Sequence, residues 1–67
     1  MYMTPRRKQV FDFINKYYKK HGYMPSLKEI GKKFKIAISS TWEHLDRLEL
    51  MGLIRKAKGQ KRGIEIL

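Results

Sequence analysis

The stretch Met24-Pro25-Ser26-Leu27-Lys28-Glu29 does most to limit the folds open to this chain. A proline disfavours helical backbone at the residue before it, so Met24 arrives extended. Ser26 and Glu29 then form an S-x-x-E capping box, in which each side chain satisfies a backbone N–H at the start of a new helix. Leu27, Ile30 and Phe34 give that helix a short apolar stripe, predicting it over about residues 26–34. Whatever lies upstream is a separate element. Gly31 falls inside the helix, where a glycine fits close approach by a neighbouring helix.

The upstream element is a helix over about residues 5–21. Thr4 caps it, and Pro5 stands at its first position, where the missing N–H costs nothing. Val10, Ile14 and Tyr17 form its stripe, widened by Phe11 and Tyr18. Lys19, Lys20 and His21 suit its C-terminal dipole, and Gly22 ends it. Downstream, a tight connection points Ile36 inward. Ser40 with Glu43 repeats the capping box, predicting a third helix over about residues 40–51 that stops at Gly52. Its buried stripe is Leu45, Leu48 and Met51. Leu53-Ile54 and Ile64, Ile66 and Leu67 are then the apolar residues of a hairpin over about residues 53–67, with Gly59 and Gly63 permitting the basic turn. A hairpin alone is marginal in water, so it must pack on the helices. The expected fold is mainly α with a small β-hairpin: a three-helix winged helix-turn-helix, with residues 1–67 as a single domain.

Charge narrows the function. Sixteen Lys and Arg against six Asp and Glu leave a net +10 on 67 residues, which favours a polyanionic partner, nucleic acid before an anionic membrane surface. The plainer alternative is a basic protein that is merely soluble. The apolar runs are too short to span a bilayer or to form a signal-peptide core. With no cysteine and two histidines, neither a disulfide nor a metal site is expected. The six acids are scattered, no Ser–His–Asp set has an enclosing pocket, and no glycine-rich loop follows a strand. An enzyme is not expected, nor a cofactor, nor a small-molecule ligand.

Five segments, MTPRRKQVFDFI, GYMPSLKEIGKKF, EHL, GLI and RGIEIL, together resemble the DNA-binding domain of the LexA family of SOS-response repressors. The resemblance runs over essentially the whole chain. It rests most on Thr4, Arg6, Val10 and Ile14, then Pro25-Ser26 with Glu29-Ile30, then His44-Leu45, Gly52, and Arg62 with Ile64. It implies a third helix in the major groove of double-stranded DNA and a wing along the adjacent backbone. By position, Ser39, Ser40, Thr41, Trp42 and Glu43 match the family's base-reading stretch. Three departures stand out. Full-length members continue into a self-cleaving serine–lysine peptidase domain that also dimerises, and these 67 residues do not include it. The segment from Phe34 to Leu45 is about one residue shorter than in the typical repressor. Trp42 differs in type from the family's recognition positions.

Ser39, Ser40 and Thr41 can donate or accept hydrogen bonds, and Glu43 can either accept from a cytosine amino group or serve as the capping partner of Ser40. Trp42 lies roughly 60° from Leu45 on the helical wheel, so it either packs beside the first helix or lies against sugar and a thymine methyl. Thr41 stands four residues before Leu45, where such helices carry a small buried residue, and this pushes Trp42 outward. Backbone contacts are expected from Arg6, Arg7, Lys28, His44 and Arg47, and from Lys56, Lys58, Lys61 and Arg62 on the wing. His44 has a packed role as its alternative, and Arg47 an ion pair. Leu50 either folds over the helix end or joins Met51 in a small protein-interface patch. The expected protein is a sequence-specific DNA-binding regulator, a repressor, cytoplasmic and nucleoid-associated in a prokaryote or virus-infected cell. A homodimer on a two-fold operator is the corollary. The alternatives are a winged-helix protein-interaction module and a nonspecific architectural DNA binder.

Overall fold

A computed structural model describes residues 3–56 and 63–67. Its elements in chain order are helix α1 (Pro5–His21), helix α2 (Leu27–Phe34), helix α3 (Ile38–Leu50), strand β1 (Ile54–Lys56) and strand β2 (Ile64–Ile66). This is the mainly α, winged helix-like arrangement that the sequence predicts. The predicted turn at Gly59 lies outside the described residues.

The first two helices form where their caps dictate. The Thr4 hydroxyl accepts from the Arg7 N–H at 3.1 Å. At the other end, Gly22 adopts φ 79° and its N–H donates to the Tyr18 carbonyl at 2.8 Å, a left-handed cap that glycine takes without strain. The Ser26–Glu29 box is complete: the Ser26 N–H donates to Glu29 Oε1 at 2.8 Å, and the Glu29 N–H to Ser26 Oγ at 3.2 Å. Val10 and Ile14 are fully buried as expected. Tyr18 is exposed, whereas Phe13 is drawn in, because α2 packs on the Phe13 side of α1. Phe13 meets the Phe34 ring edge-on at 5.7 Å, and the Tyr17 hydroxyl donates to Glu29 Oε2 at 2.7 Å.

Helix α3 starts two residues earlier than predicted, and by a different cause. Its cap is Ala37, which offers no side chain, and no Ser40–Glu43 box forms. Thr41 is fully buried, with its N–H and its hydroxyl both donating to the Ala37 carbonyl, at 3.0 and 3.1 Å. It sits against α2 at Gly31: a Cβ placed there would lie 3.2 Å from Thr41 Oγ1 and 3.0 Å from the Ile36 carbonyl oxygen. The close approach expected of Gly31 is therefore real, and this tertiary contact fixes the start of α3. Leu45 and Leu48 follow Thr41 into the core, while Met51 is only half-buried and ends the helix ahead of Gly52.

The two strands pair antiparallel, with Ile54 opposite Ile66 and Lys56 opposite Ile64. The Leu67 N–H donates to the Leu53 carbonyl at 3.0 Å, and the Leu53 N–H to the Leu48 carbonyl at 3.1 Å, which joins the hairpin to the end of α3. Ile54 and Ile64 complete a core made of Val10, Ile14, Ile30, Leu45 and Leu48. Among the described residues, no helix is long and apolar enough to cross a membrane.

Gly31→Ala tests the α2–α3 contact. Alanine gains about 1 kcal/mol of helix propensity. Overpacking against a carbonyl costs about 1–3 kcal/mol, and this one is held in place because the Ile36 N–H donates to Gly31 itself at 3.0 Å. The expected net result is a loss of about 1 kcal/mol, read as a lower urea midpoint at unchanged slope.

Candidate nucleic-acid interface

With Thr41, Leu45 and Leu48 turned inward, helical geometry distributes the rest of α3. Ser39, Glu43 and Leu50 lie on the outward line, Trp42, Asp46 and Glu49 on the flank toward the hairpin, and Ser40, His44 and Arg47 on the flank toward the start of α1. Ser39, Ser40, Glu43 and Arg47 are all exposed. No acidic residue occupies the first turn of α3, so the positive end of its dipole faces solvent uncompensated. The structure thus gathers most of the residues expected to read bases on one open face. Thr41 is the exception: it is buried with its hydroxyl already bonded, and this removes it from the set that can meet a base.

Trp42 is 42% exposed, so it is not a core residue. Its ring is covered on one face by the Lys56 ammonium, 4.7 Å from the ring centroid. That ammonium also pairs with Asp46 and, at 3.7 Å, with Glu49. The Lys56 N–H donates to Glu49 Oε2 at 2.9 Å. Lys56, expected to contact the DNA backbone from the wing, is engaged by three side chains of α3, its own side chain only 17% exposed. The reason is strand parity. Lys56 lies two residues from buried Ile54 and therefore on the helix-facing side of β1, while Arg55 points to solvent. The sequence signal for Asp46 and Glu49 is their spacing: Trp42, Asp46 and Glu49 recur at i, i+4, i+7 along one flank.

On the other flank, Arg6 is exposed with its guanidinium 5.5 Å over the Phe34 ring. Arg7 and His44 are half-buried, and Arg7 Nε and His44 Nδ1 are buried without a hydrogen-bond partner. Burial pushes the His44 pKa below the ordinary 6.5. Arg7 and, less strongly, Arg6 push it the same way, and Glu43 opposes them. His44 thus holds a proton less readily than an ordinary histidine, beside Arg7 and Arg6. Lys28 is exposed and lines, with Lys32 and Lys35, a groove beside the α2–α3 turn and Ile38. Lys58, Lys61 and Arg62 lie outside the described residues. Leu50 does not fold over the helix end: it is 66% exposed, next to half-buried Met51. Among the described residues, no group of His, Cys, Asp or Glu is placed to hold a metal ion.

The chain is similar in sequence to known proteins. The family profile described as LexA DNA binding domain matches residues 1–63. A LexA repressor of Exiguobacterium sp. (strain ATCC BAA-1283 / AT1b) is 50% identical over 66 residues, which cover 97% of this chain and 32% of the relative. A LexA repressor of Geobacillus sp. (strain WCH70) is 47% identical over 66 residues, with the same coverage. One from Listeria monocytogenes serotype 4b (strain F2365) is 44% identical over 68 residues, covering all of this chain and 33% of the relative. The chain spans about a third of the length of the curated relatives it matches.

The His44 environment has a consequence for stability. Its folded pKa is lowered, so between that value and 6.5 the unfolded chain binds more protons than the folded one. Stability therefore falls as pH drops through about 6.5 and stops falling, for this group, below the folded value. Thermal melts of the wild type and of His44→Gln across that range are expected to diverge, the variant losing less stability on acidification.

Proposed function

Because the chain belongs to the LexA DNA-binding domain family, we propose that residues 1–67 form one domain that reads double-stranded DNA with α3 in the major groove. One observation carries the reading: α3 presents an open polar face, Ser39, Ser40 and Glu43, bordered by Trp42 and the hairpin on one side and by Arg6 and Arg7 on the other. Short hydroxyls at the helix start approach base edges, and Glu43 accepts from a cytosine amino group. Trp42 lies against sugar and thymine methyl. Arg6, Arg7, Lys28, His44 and Arg47 bind phosphates, joined by Lys58, Lys61 and Arg62. These contacts, in a chain of net charge +10, steer the protein to DNA and supply the salt-sensitive part of its affinity.

The relatives are named repressors, and repression by occupying an operator is the activity we propose for the protein that carries this domain. It needs no catalysis from these residues. One such domain buries little DNA surface, so two copies on a two-fold operator are the expected functional unit. A nucleoid location follows from the same reading.

Selection of duplexes from a random pool at near-physiological salt tests this function. A two-fold motif is the expected outcome, and a single half-site would remove the paired arrangement. Absence of enrichment, with binding that disappears on adding salt, would overturn specific reading in favour of an architectural or protein-binding role. On a selected duplex, Glu43→Gln is expected to change the preference at one base pair by about 1–3 kcal/mol. Arg47→Ala is expected to weaken binding to all sequences alike and to lower the salt slope by about 0.9.

A further inference from the structure

We infer that Lys56, Asp46 and Glu49 form a brace that sets sequence specificity, by holding Trp42 and the end of β1 in register with the reading face of α3. This rests on the reading of α3 as the DNA-contacting helix. Lys56 is held at both its backbone and its side chain: its N–H by Glu49, and its ammonium by Asp46, by Glu49 and by the face of Trp42. The three α3 partners occupy one flank at i, i+4 and i+7, so a single lysine spans two turns of the helix. It is also the last residue of β1. Fixing Lys56 therefore fixes the end of β1 against α3.

Two consequences follow for the reading face. An indole exposed to solvent otherwise samples several rotamers, and a cation held over its face favours one of them. Carboxylates at Asp46 and Glu49 would repel nearby phosphates, and the ammonium between them offsets that repulsion. Lys56 is thus a positioning residue that acts through Trp42.

The brace and a simple phosphate contact predict different things. A lysine bound to phosphate contributes equally to every sequence, and its loss lowers the salt slope by about 0.9. For the brace, Lys56→Ala is expected to weaken binding to the selected duplex about tenfold, the scale of one lost base contact. Binding to random-sequence duplex changes little, and the slope is retained. Lys56→Arg, which keeps the charge and the cation–π contact, is expected to restore most of the specificity ratio. The double variant Asp46→Asn, Glu49→Gln keeps Lys56 and makes the protein more basic. It is expected to bind random DNA more tightly and yet discriminate less. Trp42 is the only tryptophan, so its emission in the DNA-free protein is expected to shift in both Lys56→Ala and the double variant. Should Lys56→Ala fail to fold, the double variant still decides, because both its positions are partly exposed. Equal weakening on selected and random DNA in Lys56→Ala, or an unchanged ratio in the double variant, would overturn the brace while leaving the DNA-reading assignment intact. A wild-type protein that selects no motif would overturn that assignment, and the brace with it.

Discussion

Where α2 meets α3, Gly31 and Thr41 approach so closely that a methyl group at Gly31 would press on both the Thr41 hydroxyl and the carbonyl of Ile36. The rest of the molecule depends on this contact. It buries Thr41, anchors its hydroxyl on Ala37, and so fixes both where α3 begins and how it is rotated. With that rotation set, Leu45 and Leu48 must face the core, and Ser39 and Glu43 must face outward. Trp42 is delivered to the hairpin and His44 to the arginines of α1. A different rotation of α3 would bury the polar face and strand the leucines in water. The packing of the second helix thus determines which side chains the third can show to a partner.

Charge is organised on the same frame. Of the acids, Glu29 is occupied in its capping box and by the Tyr17 hydroxyl, Asp46 and Glu49 by Lys56, and Glu65 stands opposite Arg55 in the strand ladder. Glu43 is the carboxylate on the outward line of α3. In a protein with ten excess positive charges, one carboxylate on the open face weakens general attraction to phosphate and favours sites that offer it a donor. Excess charge supplies attraction to any duplex, and the few groups set against it supply discrimination.

Much of this was legible from local signals. The Thr4 cap with Pro5, the Ser26–Glu29 box and the Gly22 stop fixed α1 and α2 to the residue or nearly so, because capping chemistry is local and its groups are adjacent in the chain. The start of α3 departs from its local signal for the converse reason. Ser40 and Glu43 offer a good local box, but burying Thr41 against Gly31 places both of them inside the helix. The partners of Lys56 are not legible in the charge of the turn, because strand alternation from Ile54 decides which way the side chain points. Tyr18 is exposed and Phe13 half-buried because the two sides of α1's stripe are equivalent on a wheel until α2 docks against one of them.

The most direct test of the claim that α3's outward face meets DNA is a titration of the isotopically labelled protein with a selected duplex, followed by amide chemical shifts. The largest changes are expected at residues 38–44 and at the indole N–H of Trp42, with further changes at Arg6 and Arg7. The groove between α1 and α2, lined by Lys16, Lys20, Lys32 and Lys33, is expected to move little. Shifts concentrated in that groove, with the α3 amides unmoved, would contradict the claim: the basic charge would then serve a surface other than the one the Gly31–Thr41 contact presents.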